Sequence, residues 1–304
     1  MTSAAAPAAP SIPSRRWRLL LRLMRVIPQA ALSRLFGRIA DLPVPRAVRR
    51  PVHGLVARVL HMDLSEAARP ITEYATVNEL FVRPLRDGIR SWPDDPLALA
   101  SPVDGILGQL GQTEQGKLVQ AKGRWYTVSE LLGGIDAERF QNGSFITLYL
   151  SPRHYHRMHA PRDGGIVGAW HIPGALFPVN AAASMHVDNL FPRNERLICE
   201  METPAFGRVA VVAVGAYNVG RISAAFDRQW TGLRGEAWVT NRPGGAAAEF
   251  RRYDPPLRTE LGDEIMAFHL GSTVVLLTER RVRFAKGAEP EAEIRLGETL
   301  GFAS

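Results

Sequence analysis

One cysteine, Cys199, is all that the 304 residues contain. An intrachain disulfide framework and a tetrahedral cysteine metal site are thereby excluded, which fits a reducing compartment. Between Leu197, Ile198 and Met201, the thiol reads as a small core side chain rather than a nucleophile. Long uncharged apolar runs are missing as well. The most apolar N-terminal stretch is interrupted by Arg22 and Arg25. Each would cost about 2.5–3.5 kcal/mol at the centre of a membrane span, and the run falls well short of the ~20 residues that a span needs. The same arginines spoil the uncharged core of an export signal, despite the nearby Ser14-Arg15-Arg16. There is no internal repeat and no phosphate loop, and pairs such as Gly244-Gly245 read as turns. Acids are scarce at one end: residues 1–62 hold eleven arginines, no lysine and only Asp41. This segment carries +10 where the whole chain carries +7, leaving −3 for the remainder.

Residues 1–13 are Ala, Pro and Ser without periodicity, a composition that predicts disorder. Residues 14–62 read as a basic amphipathic helical region. Arg15, Arg18, Arg22 and Arg25 recur at helical spacing, with Leu20, Leu23, Met24 and Ile27 on another face and Pro28 as a stop. A second helix sets Leu32, Leu35, Phe36 and Ile39 against Arg34 and Arg38. A third carries Val52, Leu55, Val56 and Val59 behind Arg49 and Arg50. Such helices suit the surface of an anionic bilayer, where each arginine adds about 1 kcal/mol to apolar burial. Nucleic acid would leave the apolar faces without a purpose, so it is set aside as a partner. Residues 63–98 read as a connector, with a short helix over Val77 to Val82 started by Thr76.

From residue 99 to 304 the rhythm is short apolar runs separated by Gly, Pro and Asn: Ile106–Leu110, Phe145–Leu150, Ile166–Ile172, Leu197–Met201, Val209–Val214, Trp238–Thr240, Ile265–Leu270 and Val274–Leu277. That spacing predicts an antiparallel β-sandwich or barrel-like catalytic body, α+β overall once the helical arm is counted. One helical interruption is expected at Val128–Leu132, where Thr127 and Glu130 have the spacing of a capping box.

Three segments carry chemistry. Gly271-Ser272-Thr273 places a hydroxyl directly before a buried-strand sequence, and a glycine carbonyl lets a neighbouring Oγ approach closely. Ser151 to Pro161 puts His154, His156 and His159 within six residues, bracketed by Pro152 and Pro161. Ser101-Pro102-Val103-Asp104-Gly105 offers a carboxylate in a tight turn. A serine becomes a nucleophile when a base takes its proton and a third group orients the base, and Ser272, His159 and Asp104 suit those three tasks. A metal site is not expected, because the histidine run lacks a carboxylate at ligand spacing.

These segments, with Asn78 to Leu85, Gln120-Ala121-Lys122-Gly123 and Asn194-Glu195-Arg196, resemble the phosphatidylserine decarboxylase family. The resemblance implies a self-processing enzyme. Asp104, His159 and Ser272 would form a charge-relay set that cuts the Gly271-Ser272 bond, giving chains 1–271 and 272–304. Ser272 would become a covalent pyruvoyl group, the cofactor on which the substrate amine forms a Schiff base. His156 would contact substrate or return a proton to the α-carbon. The implied product is phosphatidylethanolamine with carbon dioxide, the implied place the cytoplasmic face of the cell membrane as a peripheral protein, and the implied assembly a homodimer. The chain departs from the family pattern at Met266, where a glycine is usual. Competing readings are a Ser-His-Asp hydrolase of an external ester, a pyruvoyl decarboxylase of another serine-headed lipid or amino acid, and a membrane-binding scaffold without catalysis.

Overall fold

The computed structural model describes residues 29–121, 124–179, 181–217, 221–227, 239–242, 247–269 and 272–304. The expectations for residues 1–13, the first amphipathic helix, Trp238, Gly244-Gly245 and Gly271 fall outside the described residues.

The other two arm helices are present, as α1 (Gln29–Ala40) and α2 (Arg46–Leu60). Their packing inverts the usual rule for a surface helix. The residues they bury are small or polar: Gln29, Ser33 and Gly37 in α1, His53 and Ala57 in α2. Leu35, Phe36, Ile39, Leu55 and Val59 are exposed. No described helix is long and apolar enough to cross a membrane. In the connector, α3 (Val77–Phe81) begins at Thr76, whose Oγ1 accepts from the Glu79 N–H at 3.0 Å. Further on, α4 (Val128–Leu132) has both halves of its capping box: Glu130 N–H donates to Thr127 Oγ1 (3.1 Å) and Thr127 N–H to Glu130 Oε2 (2.8 Å).

The body is antiparallel. In chain order the strands begin with β1 (Ala98–Ala100), β2 (Gly105–Gln112), β3 (Lys117–Ala121), β4 (Arg124–Thr127), β5 (Ser144–Tyr149), β6 (Arg157–His159), β7 (Gly164–Ile172) and β8 (Arg196–Thr203). They continue with β9 (Gly207–Val214), β10 (Ile222–Ala224), β11 (Glu249–Thr259), β12 (Glu264–Phe268), β13 (Thr273–Thr278), β14 (Val282–Phe284), β15 (Glu293–Ile294) and β16 (Thr299–Ala303). Eight form one sheet in the order β11-β7-β8-β9-β13-β5-β2-β15, and β10-β12-β6 form a smaller one. The expected barrel-like closure is corrected: the two ends of the large sheet, β11 and β15, are not paired with each other, so the sheet is open. The uninterrupted run Val274 to Leu277 occupies the middle, flanked by β9 and β5 and fully buried, as a strand covered on both faces requires.

Two further readings are corrected. Val239 and Thr240 are buried in a bend rather than a strand. The eleven-residue β11 went unseen because it is rich in charge and contains Pro255 and Pro256. It lies at the sheet edge, where proline need not supply a ladder donor, and its register breaks between Arg252 and Leu257.

One buried carboxyl stands apart in this sheet. Glu200 of β8 is fully buried, neither oxygen meets a hydrogen-bond partner among the described residues, and Arg252 is 3.9 Å away. Burial, with Asp136 nearby, pushes its pKa up to about 7. A carboxyl raised in the folded state favours folding at low pH and loses that contribution as pH rises from the ordinary carboxylate range through about 7. Glu200→Gln should therefore stabilise the protein at pH 8 by on the order of 1–3 kcal/mol and leave it unchanged near pH 4.5. Denaturant unfolding at the two pH values measures this, and an equal effect at both would contradict it.

Candidate active site

Ser272 stands at the head of β13 and is 1% exposed. Its carbonyl accepts from Leu150 N–H at 2.7 Å, just past the end of β5. Its Oγ–H donates to the carbonyl of Val214, the last residue of β9. The hydroxyl is thus held between the two strands that flank β13. The β9 side is braced in turn: Gly215 N–H donates to the Glu195 carbonyl (2.7 Å), and Asn194 Nδ2 donates to the Gly215 carbonyl (2.8 Å).

The histidine segment leaves β5, turns and returns as β6. Ser151 N–H donates to His154 Nδ1 (3.0 Å), so His154 carries its proton on Nε2, which faces Glu293 at 3.7 Å. The turn places His156 against β12, where its carbonyl accepts from Phe268 N–H at 2.9 Å. The His156 ring is fully buried, stacks on Phe81 at 4.2 Å, and has no hydrogen-bond partner for either nitrogen among the described residues. Burial, helped by the charge of Arg83, drives its pKa down to about 3.

His159 ends β6, opposite Glu264 of β12, and its N–H donates to the Pro102 carbonyl at 2.9 Å. Its Nδ1 meets the Gly262 carbonyl at 2.6 Å. A carbonyl only accepts, so Nδ1 carries the proton and Nε2 presents its lone pair to the Tyr155 O–H at 3.1 Å. Burial lowers its pKa, with the Gly262 contact opposing, so the ring is neutral near pH 7. Gly262 has φ +90°, and a Cβ there would lie 2.7 Å from the Trp92 ring. Only glycine turns its carbonyl onto His159 without a clash.

Asp104 is held elsewhere. Arg90 grips both carboxylate oxygens (Nε to Oδ1 3.1 Å, Nη2 to Oδ2 2.6 Å), and Leu296 N–H donates to Oδ1 at 2.8 Å. Backbone pairing brings the three chemical segments side by side, yet Ser272, His159 and Asp104 do not hydrogen-bond to one another. Each has a different partner: the Val214 carbonyl, the Gly262 carbonyl and Arg90. Asp104 acts on His159 only as a charge that favours the protonated ring.

Three neighbours received no role from the sequence. Arg90 has no motif signature, and Gly262 shows its importance only through its φ. His269 is just upstream of the Gly271-Ser272 bond. Its ring lies between Asn78 Oδ1 (3.2 Å) and Ser223 Oγ (3.1 Å), and burial takes its pKa down to about 4. Met266, the departure from the family pattern, is fully buried in β12 opposite Met158, beside a register shift that accommodates it.

Comparison with known proteins places the chain in a family. The family model described as phosphatidylserine decarboxylase matches residues 77–302. A phosphatidylserine decarboxylase proenzyme of Myxococcus xanthus is 40% identical over 283 residues, covering 92% of this chain and 97% of the relative. One from Anaeromyxobacter is 42% identical over 94% of this chain and 99% of its own length, and one from Acidovorax ebreus 44% identical over 90% and 94%.

The depressed histidine sets a pH dependence. An unfolded chain protonates position 156 below the ordinary pKa of about 6.5, while the folded ring stays neutral down to about 3, so its contribution to stability is lost as pH falls through that window. In a Ser272→Ala background, His156→Gln should remove that dependence. The variant should gain on its parent by on the order of 1–2 kcal/mol between pH 7 and pH 5. A stability difference independent of pH would show that the ring is not held neutral.

Proposed function

Because the chain belongs to the phosphatidylserine decarboxylase family, we propose that it is made as a precursor, cuts itself between Gly271 and Ser272, and then converts phosphatidylserine to phosphatidylethanolamine and carbon dioxide. The observation that carries this reading is the placement of Ser272. It is a hydroxyl enclosed at the head of the central strand, directly after the glycine of Leu-Gly-Ser-Thr, in a chain whose relatives are named proenzymes.

Self-cleavage follows from the chain's own groups. His159 Nε2, the free-lone-pair nitrogen of a neutral ring, takes the Ser272 hydroxyl proton once Tyr155 and the Val214 carbonyl release the two groups. Ser272 Oγ adds to the Gly271 carbonyl carbon and the C–N bond breaks, leaving an ester and a free amine at residue 272. Loss of the Ser272 α-proton then breaks the Cβ–Oγ bond, freeing the Gly271 carboxylate and leaving dehydroalanine. Water adds, ammonia leaves, and residue 272 carries a keto group. Asp104 steadies the protonated His159 as a nearby fixed charge, and Arg90 keeps it in place.

The surroundings fit a pyruvoyl group at this position. Residue 272 stays anchored through its own carbonyl to Leu150, so a new chain end there remains part of the sheet. The group would supply an electron sink for the carbanion left by decarboxylation. His156, with neither ring nitrogen partnered among the described residues, would contact the substrate carboxylate or, once it has taken up a proton, return it to the α-carbon.

The arm supports a lipid substrate. Phe36, Leu55 and Val59 are 46%, 61% and 63% exposed, in a stretch, residues 29–62, that holds six arginines and a single acid, Asp41. We assign these faces to an anionic leaflet at the cytoplasmic side of the cell membrane. A homodimer, implied by the family resemblance, completes the reading, and sedimentation equilibrium measures it.

Denaturing electrophoresis of purified protein should show a fragment spanning 272–304, and Ser272→Ala should run as one intact chain. An uncut wild type that still releases carbon dioxide would sink the self-processing mechanism. Carbon dioxide should come from phosphatidylserine micelles and not from free serine; equal turnover of both would move the substrate to soluble amino acids. Joint substitution Leu55→Asp and Val59→Asp should weaken flotation with anionic vesicles at least about tenfold, with cleavage unchanged.

A further inference from the structure

A charged cleft of about 200 Å³ lies where the arm meets the body. Arg83 reaches it from the connector and is 2% exposed. Its Nη2 donates to the Asp63 carbonyl (3.2 Å), while Nε and Nη1 have no acceptor among the described residues. Arg90 lines the same cleft. Asp104 and Glu66 occupy its Nε and Nη2, and its Nη1 likewise has no acceptor.

The other charges around the cleft are already matched. Arg153 faces Glu293 at 3.2 Å and Arg295 faces Glu66 at 3.4 Å. Asp63 turns its carboxylate to the N–H and O–H of Ser65, at 2.8 and 2.7 Å. Among the described residues Arg83 therefore has no carboxylate paired with it, although burying a guanidinium without an anion is costly. Such a group is what an oxyanion ligand would satisfy, two parallel N–H donors at a time.

We propose that Arg83, with the open edge of Arg90, binds the phosphodiester of the substrate headgroup. The proposal rests on the function argued above and adds the residue that recognises the lipid. The substrate has a second anionic group, its carboxylate, but that charge vanishes as carbon dioxide leaves. A cation on it would hold the ground state more tightly than the transition state and slow the reaction. The phosphodiester keeps its charge throughout, so binding it lowers KM and leaves the chemical step alone.

Position supports the assignment. Asp104 and Tyr155, the partner of His159, also line the cleft, and Phe81, two residues before Arg83, stacks on His156. The cleft is also lined by His61, the cap of α2, whose Leu55 and Val59 are exposed. A lipid with its amine end among the histidines and its acyl chains beside α2 carries its phosphate between the two.

The test uses processed wild type, Arg83→Gln and Arg83→Lys, each first checked for self-cleavage by gel and for its unfolding midpoint. With short-chain phosphatidylserine in detergent, Arg83→Gln should raise KM at least about tenfold while kcat stays within about threefold, and lysine should recover part of the loss. Calorimetric titration of wild type should find glycerophosphoserine binding at least about tenfold more tightly than free serine, an advantage absent in Arg83→Gln. An unchanged KM in a cleaved variant, or a fall in kcat at constant KM, overturns the proposal. So does wild type that binds glycerophosphoserine no better than serine, a measurement that decides even if the glutamine variant does not fold. Orthophosphate binding as tightly as glycerophosphoserine would assign the cleft to free phosphate and overturn the headgroup role. Wild type that binds glycerophosphoserine through Arg83 yet releases no carbon dioxide keeps this site and removes the proposed reaction instead.

Discussion

The two hydrogen bonds that hold Ser272, one from Leu150 N–H to its carbonyl and one from its hydroxyl to Val214, are the constraint around which the body is arranged. A residue proposed to attack its own backbone has to keep its downstream side still while the upstream bond is cut. A central strand provides this, since β13 is paired along its length with β5 and β9 and every residue from Thr273 to Thr278 is buried. The same pairing explains why the flanking β5 leads into the histidine turn. A strand that flanks the candidate nucleophile delivers the candidate base within a few residues, without a long loop whose ordering would cost entropy.

Electrostatics around the serine rests on burial more than on charge pairing. His156, His159 and His269 are all pushed toward the neutral form, each chiefly by loss of solvent. Neutral imidazole is the form able to accept a proton. Asp104 is clamped by Arg90, which itself also grips Glu66. A carboxylate held by a guanidinium is a weak partner for a second cation. Ser272, His159 and Asp104 are therefore separately satisfied in this structure, each by a different partner.

Much of this was legible in the chain before any fold was known. The run Val274 to Leu277 has no polar interruption, so its place in the middle of a sheet could be read directly, and the Thr127-Glu130 spacing marked α4 to the residue. The histidine run and the Gly-Ser-Thr sequence drew attention to the segments that strand pairing brings together. What stayed hidden depended on partners remote in sequence. The edge strand β11 has no apolar rhythm because it pairs on one side only, and its prolines argued against a strand. The grip of Arg90 on Asp104 and the turning of the Gly262 carbonyl toward His159 are tertiary facts, carried by one arginine among many and by one positive φ. Two of the arm's three expected helices lie where periodicity put them, but periodicity alone does not say which face meets the body, and here it is the face with small and polar residues.

That inverted packing has a geometric outcome. Asp41, just past α1, accepts from Arg221 and from Asn78, and Asn78 in turn meets His269. Gly37 lies so close to Arg221 that any side chain there would collide with it. Arg34 and Gln29 add bonds to Asn241 and Leu176. Polar pegs of this kind fix the rotation of a helix about its own axis, which greasy contacts leave free to slide. The outward stripe of leucine, phenylalanine and isoleucine thus has one compass bearing relative to the serine, and the molecule would settle on a flat surface in a single landing pose.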